Sequence, residues 1–292
     1  MACERPQAYH REMNTLRPLA LAALFAFAAP QAQAADAYAS DWAKGLKSSA
    51  RLVAAGGGVP GALRAGVEIM LDPDTITYWR SPGDAGVPPV FKFGASQNVA
   101  NVEVTYPAPQ RVNENGAEAF GYLRGVIFPL RVTPRDPALP VRLELSLDYA
   151  ACEKICIPAQ AELALALPQA GAPNGPHAGR IALAESRAPR RQALGEAAPL
   201  SLRAVSAKGA DWTLEIIAPE GVKDVSVFPE GPEYFFLKSG VPTRKAAGAF
   251  SVPLRIEDRP KDATGVDATI TIVADGNAIE VPVRLEAGPA KP

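Results

Sequence analysis

The strongest constraint on the fold is a pair of alternating segments that flank two closely spaced cysteines. In "VRLELSLDY", residues 141–149, apolar and polar side chains alternate strictly. The run "AELALAL", residues 161–167, repeats the alternation after Cys152 and Cys156. A period of two predicts antiparallel β-strands with one buried and one exposed face. The chain between these strands is therefore expected to turn.

The spacing of the cysteines restricts how they can bond. Four positions along an extended strand span about 13 Å at ~3.3 Å per residue, whereas a disulfide needs Cα atoms within roughly 7 Å of each other. If Cys152 and Cys156 bond, the chain reverses between them and the three intervening residues form a hairpin loop. The cysteines would then face each other at the sheet edge, with Cα atoms about 5.5 Å apart. Pro158 and the flanking alternation argue against a helical turn.

Spacing alone leaves the role of this pair open. A structural disulfide is the default in an exported protein. A bond that closes so short a loop stabilises little, however, and at a sheet edge a partner thiolate can approach it, which favours a redox role. A buried, unreactive thiol pair is the third interpretation, and the charged loop residues Glu153 and Lys154 argue against it. Because Lys154 would favour a thiolate and Glu153 would oppose it, the sequence predicts no direction for the thiol pKa.

No metal and no other cofactor is predicted. Beyond the first 34 residues the only histidine is His177, so zinc or copper ligation by the two cysteines would lack further ligands. The same shortage leaves a Ser-His or Cys-His catalytic arrangement without a base. The glycine-rich residues 54–61 lack the Lys-Ser/Thr of a phosphate loop and are interpreted as a turn. A net charge of −1 without a basic block argues against nucleic acid or anionic membranes as partners.

Residues 1–34 are interpreted as a leader. From Met13 the sequence shows one positive residue, an apolar stretch at 19–29 and a small-residue site at 32–34, which is the layout of a cleavable signal peptide. The apolar stretch is too short to span a bilayer. An uncleaved N-terminal anchor is the alternative. Translation is expected to start at Met13, and cleavage leaves two of the three cysteines in an exported protein without a membrane span.

The rest of the chain divides into two parts rich in β-type segments. There are 29 Pro and 24 Gly but only 7% aromatic residues, which is typical of turn-rich β structure. Residues 35–168 and 199–288 each contain a series of short alternating runs. Residues 169–198 are rich in Pro, Gly and Ala and are interpreted as a linker with one short helix around 179–187. The fold class is therefore predicted as all-β, with two β-sandwiches, of which the second has no assigned role. The strands are expected at residues 67–71, 75–79, 102–106, 126–132, 141–149 and 161–167, and at 200–205, 212–217, 225–228, 234–237, 250–256, 268–273 and 279–285.

Three segments of the first part together resemble a known family. They are "YWRSPGDAGVPPVFKF" (78–93), "AFGYLRGVIFPLRV" (119–132) and "LDYAACEKICIPAQAELAL" (147–165). In this order they resemble the N-terminal periplasmic domain of the thiol:disulfide interchange protein DsbD, over roughly residues 40–168. The resemblance implies an immunoglobulin-like β-sandwich whose two cysteines cycle between dithiol and disulfide. On that basis Cys152 and Cys156 would be the redox pair.

The resemblance also implies partners. Reducing equivalents would come from a membrane-embedded thiol reductant, directly or through a thioredoxin-like domain. They would pass to periplasmic thioredoxin-fold proteins that serve disulfide isomerisation or cytochrome c biogenesis. In the family the more N-terminal cysteine of the hairpin is expected to contact the client in many cases, but the sequence does not assign which sulfur is attacked here.

A cap loop with an aromatic residue covers the cysteines in this family. The stretch "NENGAEAFGY", residues 113–122, lies in the corresponding place and makes Phe120 the candidate shield; a simple core role is the alternative. Tyr78 and Trp79 are candidate neighbours of the site, and they too could belong to the core of the sandwich.

Two departures from the family pattern bear on function. The gap between the cysteines is only three residues, and the sequence shows no membrane domain or thioredoxin-like domain, so the electron donor is expected on a separate chain. We therefore predict a periplasmic thiol–disulfide interchange protein, a thiol–disulfide oxidoreductase acting through Cys152 and Cys156. The alternative is a non-enzymatic periplasmic binding or scaffold protein with a structural disulfide. Donor, client, direction of electron flow, redox potential and oligomeric state are not predicted.

Overall fold

The computed structural model describes Met1 and residues 36–286, apart from residues 60, 85, 115, 209–210, 234, 247 and 259–264. The predicted leader, except for Met1, lies outside the described residues. In the described part of the chain, no helix is long and apolar enough to cross a lipid bilayer.

The first part of the chain forms two antiparallel sheets. In chain order the strands are β1 (Ala43–Lys44), β2 (Ser48–Ala54), β3 (Leu63–Leu71), β4 (Ile76–Gly83), β5 (Val90–Lys92), β6 (Val99–Val104), β7 (Gln110–Glu114), β8 (Ala117–Leu123), β9 (Gly125–Pro134), β10 (Val141–Cys152) and β11 (Cys156–Leu167). One sheet has the order β1-β2-β3-β9-β6. The other has the order β11-β10-β4-β8-β7, with β5 paired to β10.

The second part of the chain repeats this architecture after one helix, α1 (Ala178–Ser186). Its strands are β12 (Arg190–Arg191), β13 (Ser201–Lys208), β14 (Asp211–Ile217), β15 (Ser226–Glu230), β16 (Phe236–Ser239), β17 (Thr243–Ala246), β18 (Ala249–Asp258), β19 (Gly265–Ala274) and β20 (Asn277–Glu286). One sheet has the order β12-β20-β19-β15, and the other has the order β13-β14-β18-β16 with β17 paired to β18. The prediction of an all-β fold with two immunoglobulin-like sandwiches is confirmed.

The alternating pattern around the cysteines produces the predicted hairpin. β10 and β11 pair without interruption from Val141–Leu167 to Cys152–Cys156. Alternate side chains on one face of both strands, such as Leu143, Leu145, Leu163 and Leu165, are buried in the first core, while the polar side chains between them are exposed or half-buried. Burying one leucine or valine side chain stabilises a fold by about 1.5–3 kcal/mol, so a one-residue slip of this register would be costly.

The segment predicted as a linker is packed against the first sandwich. The predicted short helix is confirmed as α1. Its Ile181 is fully buried against Val53 and Ala55, and Glu185 forms an ion pair with Arg64 at 2.5 Å. Apolar and charged contacts together therefore fix α1 on the first sandwich. Residues 190–191 of the same segment form β12 and pair with β20 of the second sandwich.

The two sandwiches share a contact around β15. Phe228 of this strand is fully buried and belongs to the core cluster of the first sandwich. Its ring meets the rings of Phe120 and Trp79 edge-on, with centroids 4.9 and 6.0 Å apart. Arg80 donates to Glu230 twice and to Glu280 once, each at 2.8 Å. Strand β15 of the second sandwich is thus packed against the sheet that carries the cysteines.

Candidate functional site

A disulfide joins Cys152 and Cys156 at the turn of the β10–β11 hairpin. The loop between them has the three residues predicted, and the Glu153 amide donates to the Ile155 carbonyl at 3.3 Å. The Cα atoms of the cysteines are 4.1 Å apart, closer than the predicted 5.5 Å. This distance is nearer to the ~4.5 Å of an antiparallel pair that lacks direct hydrogen bonds, the closer of the two cross-strand pairings. β11 is an edge strand, as expected.

The two sulfur-bearing residues differ sharply in exposure. Cys152 is 0% exposed and pairs with Ile76 of β4 in the middle of the sheet, whereas Cys156 on the edge strand is exposed. Cys156 is therefore the more accessible of the two residues to another protein. The family resemblance associates client contact with the more N-terminal cysteine in many cases, and in this chain that residue is the buried one.

A tyrosine and a glutamate lie against the exposed sulfur. The Tyr78 hydroxyl is 3.1 Å from the Cys156 Sγ and donates to the Glu114 carboxylate, whose oxygens are 2.8 and 3.0 Å away. The Glu114 Oε1 is itself 3.3 Å from the Cys156 Sγ. Burial, together with the hydrogen bond and charge of Glu114, raises the pKa of Tyr78 far above its ordinary value, so the phenol stays protonated at neutral pH.

The ring of Tyr78 is held in place by a buried cluster of side chains and by the backbone of Gly86. Its ring belongs to a small buried cluster with Ile76, Ala119 and Cys152. Gly86 lies directly over the ring with φ +117, and a Cβ at Gly86 would come within 2.3 Å of a ring carbon. A residue with a side chain at this position would displace the tyrosine from the sulfur.

The structure brings only one of the three predicted aromatic neighbours to the sulfur atoms. Tyr78 is at the site. Trp79 and Phe120 point to the opposite face of the sheet, where both are buried in the core of the first sandwich against Phe228. The alternation of side chains along a strand explains this separation, because neighbours in sequence lie on opposite faces. The observed contacts of Phe120 are those of the core alternative.

Glu114 is the site residue that sequence reasoning missed. It lies within the segment 113–122 that was assigned as a cap loop, and it ends β7, where it pairs with Ala117 across the hairpin. The available signal was a carboxylate in a loop expected to cover a disulfide. Nothing in the local pattern distinguished Glu114 from Glu118, which forms an ion pair with Arg111 instead.

The charged loop residues are partly neutralised. Glu153 accepts from the Lys47 ammonium at 3.0 Å, and this pair raises the pKa of Lys47. Lys154 is exposed in the loop. His177 bonds to Asp36 at 2.9 Å and is packed in the linker segment, so it is not among the groups around the sulfur atoms.

The same groups define what the site could bind. Glu114, Cys152 and Cys156 are the group of three potential metal-ligating side chains found among the described residues, with their ligand atoms within 4.8 Å of one another. Thiolates are the metal-binding form of cysteine, and here the two sulfur atoms are bonded to each other. In this disulfide form the two cysteines therefore offer no thiolate ligand to a metal ion.

A β-sandwich with a disulfide at an edge hairpin, one buried sulfur and one exposed sulfur beside a tyrosine and a carboxylate defines a thiol–disulfide interchange domain. Residues 51–168 match the family model described as "Thiol:disulfide interchange protein DsbD, N-terminal". The resemblance inferred from the sequence is thus confirmed for this part of the chain. The comparison with curated protein sequences finds no match.

A solved structure covers both sandwiches. The N-terminal periplasmic domain of ScsB from Proteus mirabilis is similar to 86% of this chain and to 99% of its own length, with 22% sequence identity and a TM-score of 0.67. This likeness shows that the two-sandwich fold exists in another protein. A conserved domain protein from Bacillus anthracis reaches 6% identity and a TM-score of 0.23, over 84% of this chain and 89% of its own, which is too low to indicate a shared fold.

Proposed function

We propose that this protein is a periplasmic thiol–disulfide interchange protein that passes reducing equivalents from a membrane-embedded thiol reductant, on a separate chain, to thioredoxin-fold clients. The observation that carries the proposal is the asymmetry of the disulfide, with an exposed Cys156 and a buried Cys152. An exchange domain needs one sulfur that a partner can reach and one that completes the reaction from within.

Reduction of the disulfide begins at the exposed sulfur. A thiolate of the donor attacks the Cys156 Sγ, the bond between the two cysteines breaks, and Cys152 leaves as a thiolate that takes up a proton. The second thiol of the donor then attacks the donor sulfur of this mixed disulfide and expels Cys156. The donor becomes a disulfide, and the protein has gained two electrons and two protons.

Transfer to the client reverses these steps. The thiolate of Cys156 attacks the disulfide of the client and forms a mixed disulfide, while the other client sulfur leaves and takes a proton. Cys152 then attacks the Cys156 Sγ, the client leaves as a dithiol, and the internal disulfide forms again. Two electrons leave the protein in this half of the cycle.

Glu114 and Tyr78 are suited to manage the proton on Cys156. The thiolate is the nucleophile, so the Cys156 thiol must lose its proton before it attacks. The Glu114 carboxylate, 3.3 Å from the sulfur, can accept that proton, and the Tyr78 hydroxyl is within hydrogen-bond distance of both atoms. The negative charge of Glu114 also disfavours a persistent Cys156 thiolate, which limits its attack on unrelated disulfides.

The test compares two single variants with the wild type. We expect a reversible two-electron midpoint in glutathione buffers for the wild type. Cys152→Ala should accumulate a mixed disulfide with a thioredoxin-fold protein through Cys156. The matched Cys156→Ala variant should accumulate at most about a tenth as much, because the remaining sulfur is buried. Non-reducing gels and mass spectrometry identify the linked protein.

Two results would contradict the proposal. One is a wild-type disulfide that resists physiological reductants while neither variant traps a partner, which would favour a scaffold with a structural disulfide. The other is equal trapping by both variants. Thiol trapping in cells with and without candidate membrane reductants then identifies the donor and the direction of electron flow.

A further inference from the structure

We propose that the second sandwich acts as a clamp on the β7–β8 hairpin, and that Arg111 is the positioning residue through which it holds Glu114 against Cys156. This inference deepens the proposed function, on which it rests, because it assigns a role in the same site to residues that carry no exchange chemistry of their own.

The hairpin that supplies Glu114 has little support within its own sheet. β7 is an edge strand, paired on one side only, with β8. Its polar sequence, Gln110–Glu114, contributes only Val112 to the buried cluster around Tyr78 and Cys152. The Tyr78 hydroxyl holds the Glu114 carboxylate itself, and an anchor on the strand backbone is needed in addition to fix the distance between this carboxylate and the sulfur atom.

The second sandwich provides that anchor through Arg111. One guanidinium nitrogen of Arg111 donates to the Val227 carbonyl at 2.5 Å and to the Ser239 hydroxyl at 2.9 Å. The Ser239 hydroxyl in turn donates to the Val227 carbonyl at 3.0 Å, so both acceptors are fixed relative to each other. The other end of the guanidinium group forms an ion pair with Glu118 of β8. One side chain therefore joins both strands of the hairpin to the second sandwich.

Aromatic packing reinforces this connection. The Arg111 guanidinium group lies 5.3 Å from the ring centre of Phe120 and 5.7 Å from that of Phe228. Phe120 is 4% exposed and Phe228 is 0% exposed. The cation is thus placed over two buried rings, where such contacts are stronger than at an exposed site.

Side chains alternate between the two faces of β7, and this alternation connects the Arg111 anchor on one face to the disulfide on the other. Arg111 faces the second sandwich on one side of β7. Val112 and Glu114 lie on the other side, where Val112 packs with the cluster of Cys152 and Glu114 contacts Cys156. The second sandwich therefore binds β7 through a side chain on one face, and the Glu114 carboxylate extends from the other face. A loosened Arg111 therefore moves Glu114 away from the sulfur without any change at the cysteines.

The test measures the reactivity of Cys156 in the reduced full-length chain. In a Cys3→Ala, Cys152→Ala background Cys156 is the one remaining thiol of the chain, and its alkylation rate is followed from pH 6 to 10. The titratable groups in contact with its sulfur are Glu114 and Tyr78. The charged residues of the adjoining loop are Glu153, which is paired with Lys47, and Lys154. A nearby carboxylate disfavours the thiolate.

Glu114→Gln is the reference variant for the other substitutions. We expect it to move the midpoint of the pH–rate profile to lower pH by about one pH unit. Arg111→Met, which keeps an apolar stem, should move the midpoint in the same direction by at least about half as much. Ser239→Ala, a change within the second sandwich, should give a smaller shift of the same sign and serves if Arg111→Met does not fold. In the Glu114→Gln background, Arg111→Met should have no further effect.

The matched control is Arg80→Met. It removes the ion pairs to Glu230 and Glu280 across the same contact between the sandwiches but does not touch β7. We expect its profile to coincide with that of the parent. The proposal is overturned if Arg111→Met and Ser239→Ala leave the profile unchanged, if Arg111→Met acts equally with and without Glu114, or if Arg80→Met shifts the midpoint as much as Arg111→Met. None of these assays uses a client, so loss of exchange activity and failure of the clamp are observed separately.

Discussion

The two sandwiches have the same architecture and use their outer surfaces differently. In the first, the sheet β11-β10-β4-β8-β7 buries one face in the core and carries a second small buried cluster, with Tyr78 and Cys152, on its other face. In the described part of the second sandwich, the buried apolar residues other than Phe228 belong to a single core cluster. The comparison teaches that the chemistry depends on a local addition to one sheet and not on the sandwich fold itself.

The second sandwich differs in another way, because one of its large side chains packs outside its own core. The side chain of Phe228 in β15 is buried in the core of the first sandwich, next to the strands that carry the site. The second sandwich therefore contributes a core side chain to the sandwich that carries the disulfide.

The largest expected effect comes from removing this shared side chain. Phe228→Ala should lower the free energy of unfolding by about 3–5 kcal/mol, since a fully buried phenylalanine leaves a cavity. Because its ring packs in the first core, we expect one cooperative transition that shifts as a whole in urea unfolding. Phe236→Ala, at a position 60% exposed, is the control and should change stability by less than about 0.5 kcal/mol. Two separate unfolding transitions, of which only one shifts, would contradict the coupling of the two sandwiches through Phe228.

Reduction of the disulfide should have a smaller effect. The bond closes a loop of only a few residues, so its loss should lower the free energy of unfolding by about 2 kcal/mol. Urea unfolding with and without a reductant measures this, and a Cys152→Ala, Cys156→Ala double variant, insensitive to the reductant, is the control. A loss of more than about 4 kcal/mol would show that the first sandwich depends on the bond as a structural staple.

The smallest effect concerns alkaline pH. The pKa of Tyr78 is raised in the folded protein by burial and by Glu114. Its contribution to stability is therefore fully present below about pH 10, the ordinary pKa of tyrosine, and is lost as the pH rises above that value. Tyr78→Phe should make the decline of unfolding free energy above pH 10 shallower, by less than about 1 kcal/mol at pH 10.5. An identical decline in the two proteins would contradict the burial of the phenol.

Much of the fold was predictable because several long strands, such as β11 and β20, alternate between buried and exposed side chains. The hairpin of β10 and β11, with its three-residue loop, follows directly from the period of two and the reach of a disulfide. β7 was missed because its sequence, QRVNE, has no alternating apolar pattern. This strand forms only through its pairing with β8 and its contacts with the second sandwich, and neither is encoded locally.

The site was predictable in part for the same reason. Cys152 and Cys156 are neighbours in sequence, so their spacing carries information about their geometry. Glu114 is 42 positions from Cys156 and reaches it through the packing of β7. The family motifs place Trp79 and Phe120 beside Tyr78 as candidate site residues. The face of the sheet on which each side chain lies depends on strand register, however, and in this register Trp79 and Phe120 lie in the core.

The unequal exposure of the two sulfur atoms has a consequence for how long a partner stays attached. In the proposed cycle, a client captured through Cys156 would be released by Cys152, which is shielded from solvent and from competing small thiols. The lifetime of that covalent complex would then depend on how readily the buried sulfur approaches the exposed one. Access at the surface would limit capture, and movement inside the sandwich would limit release.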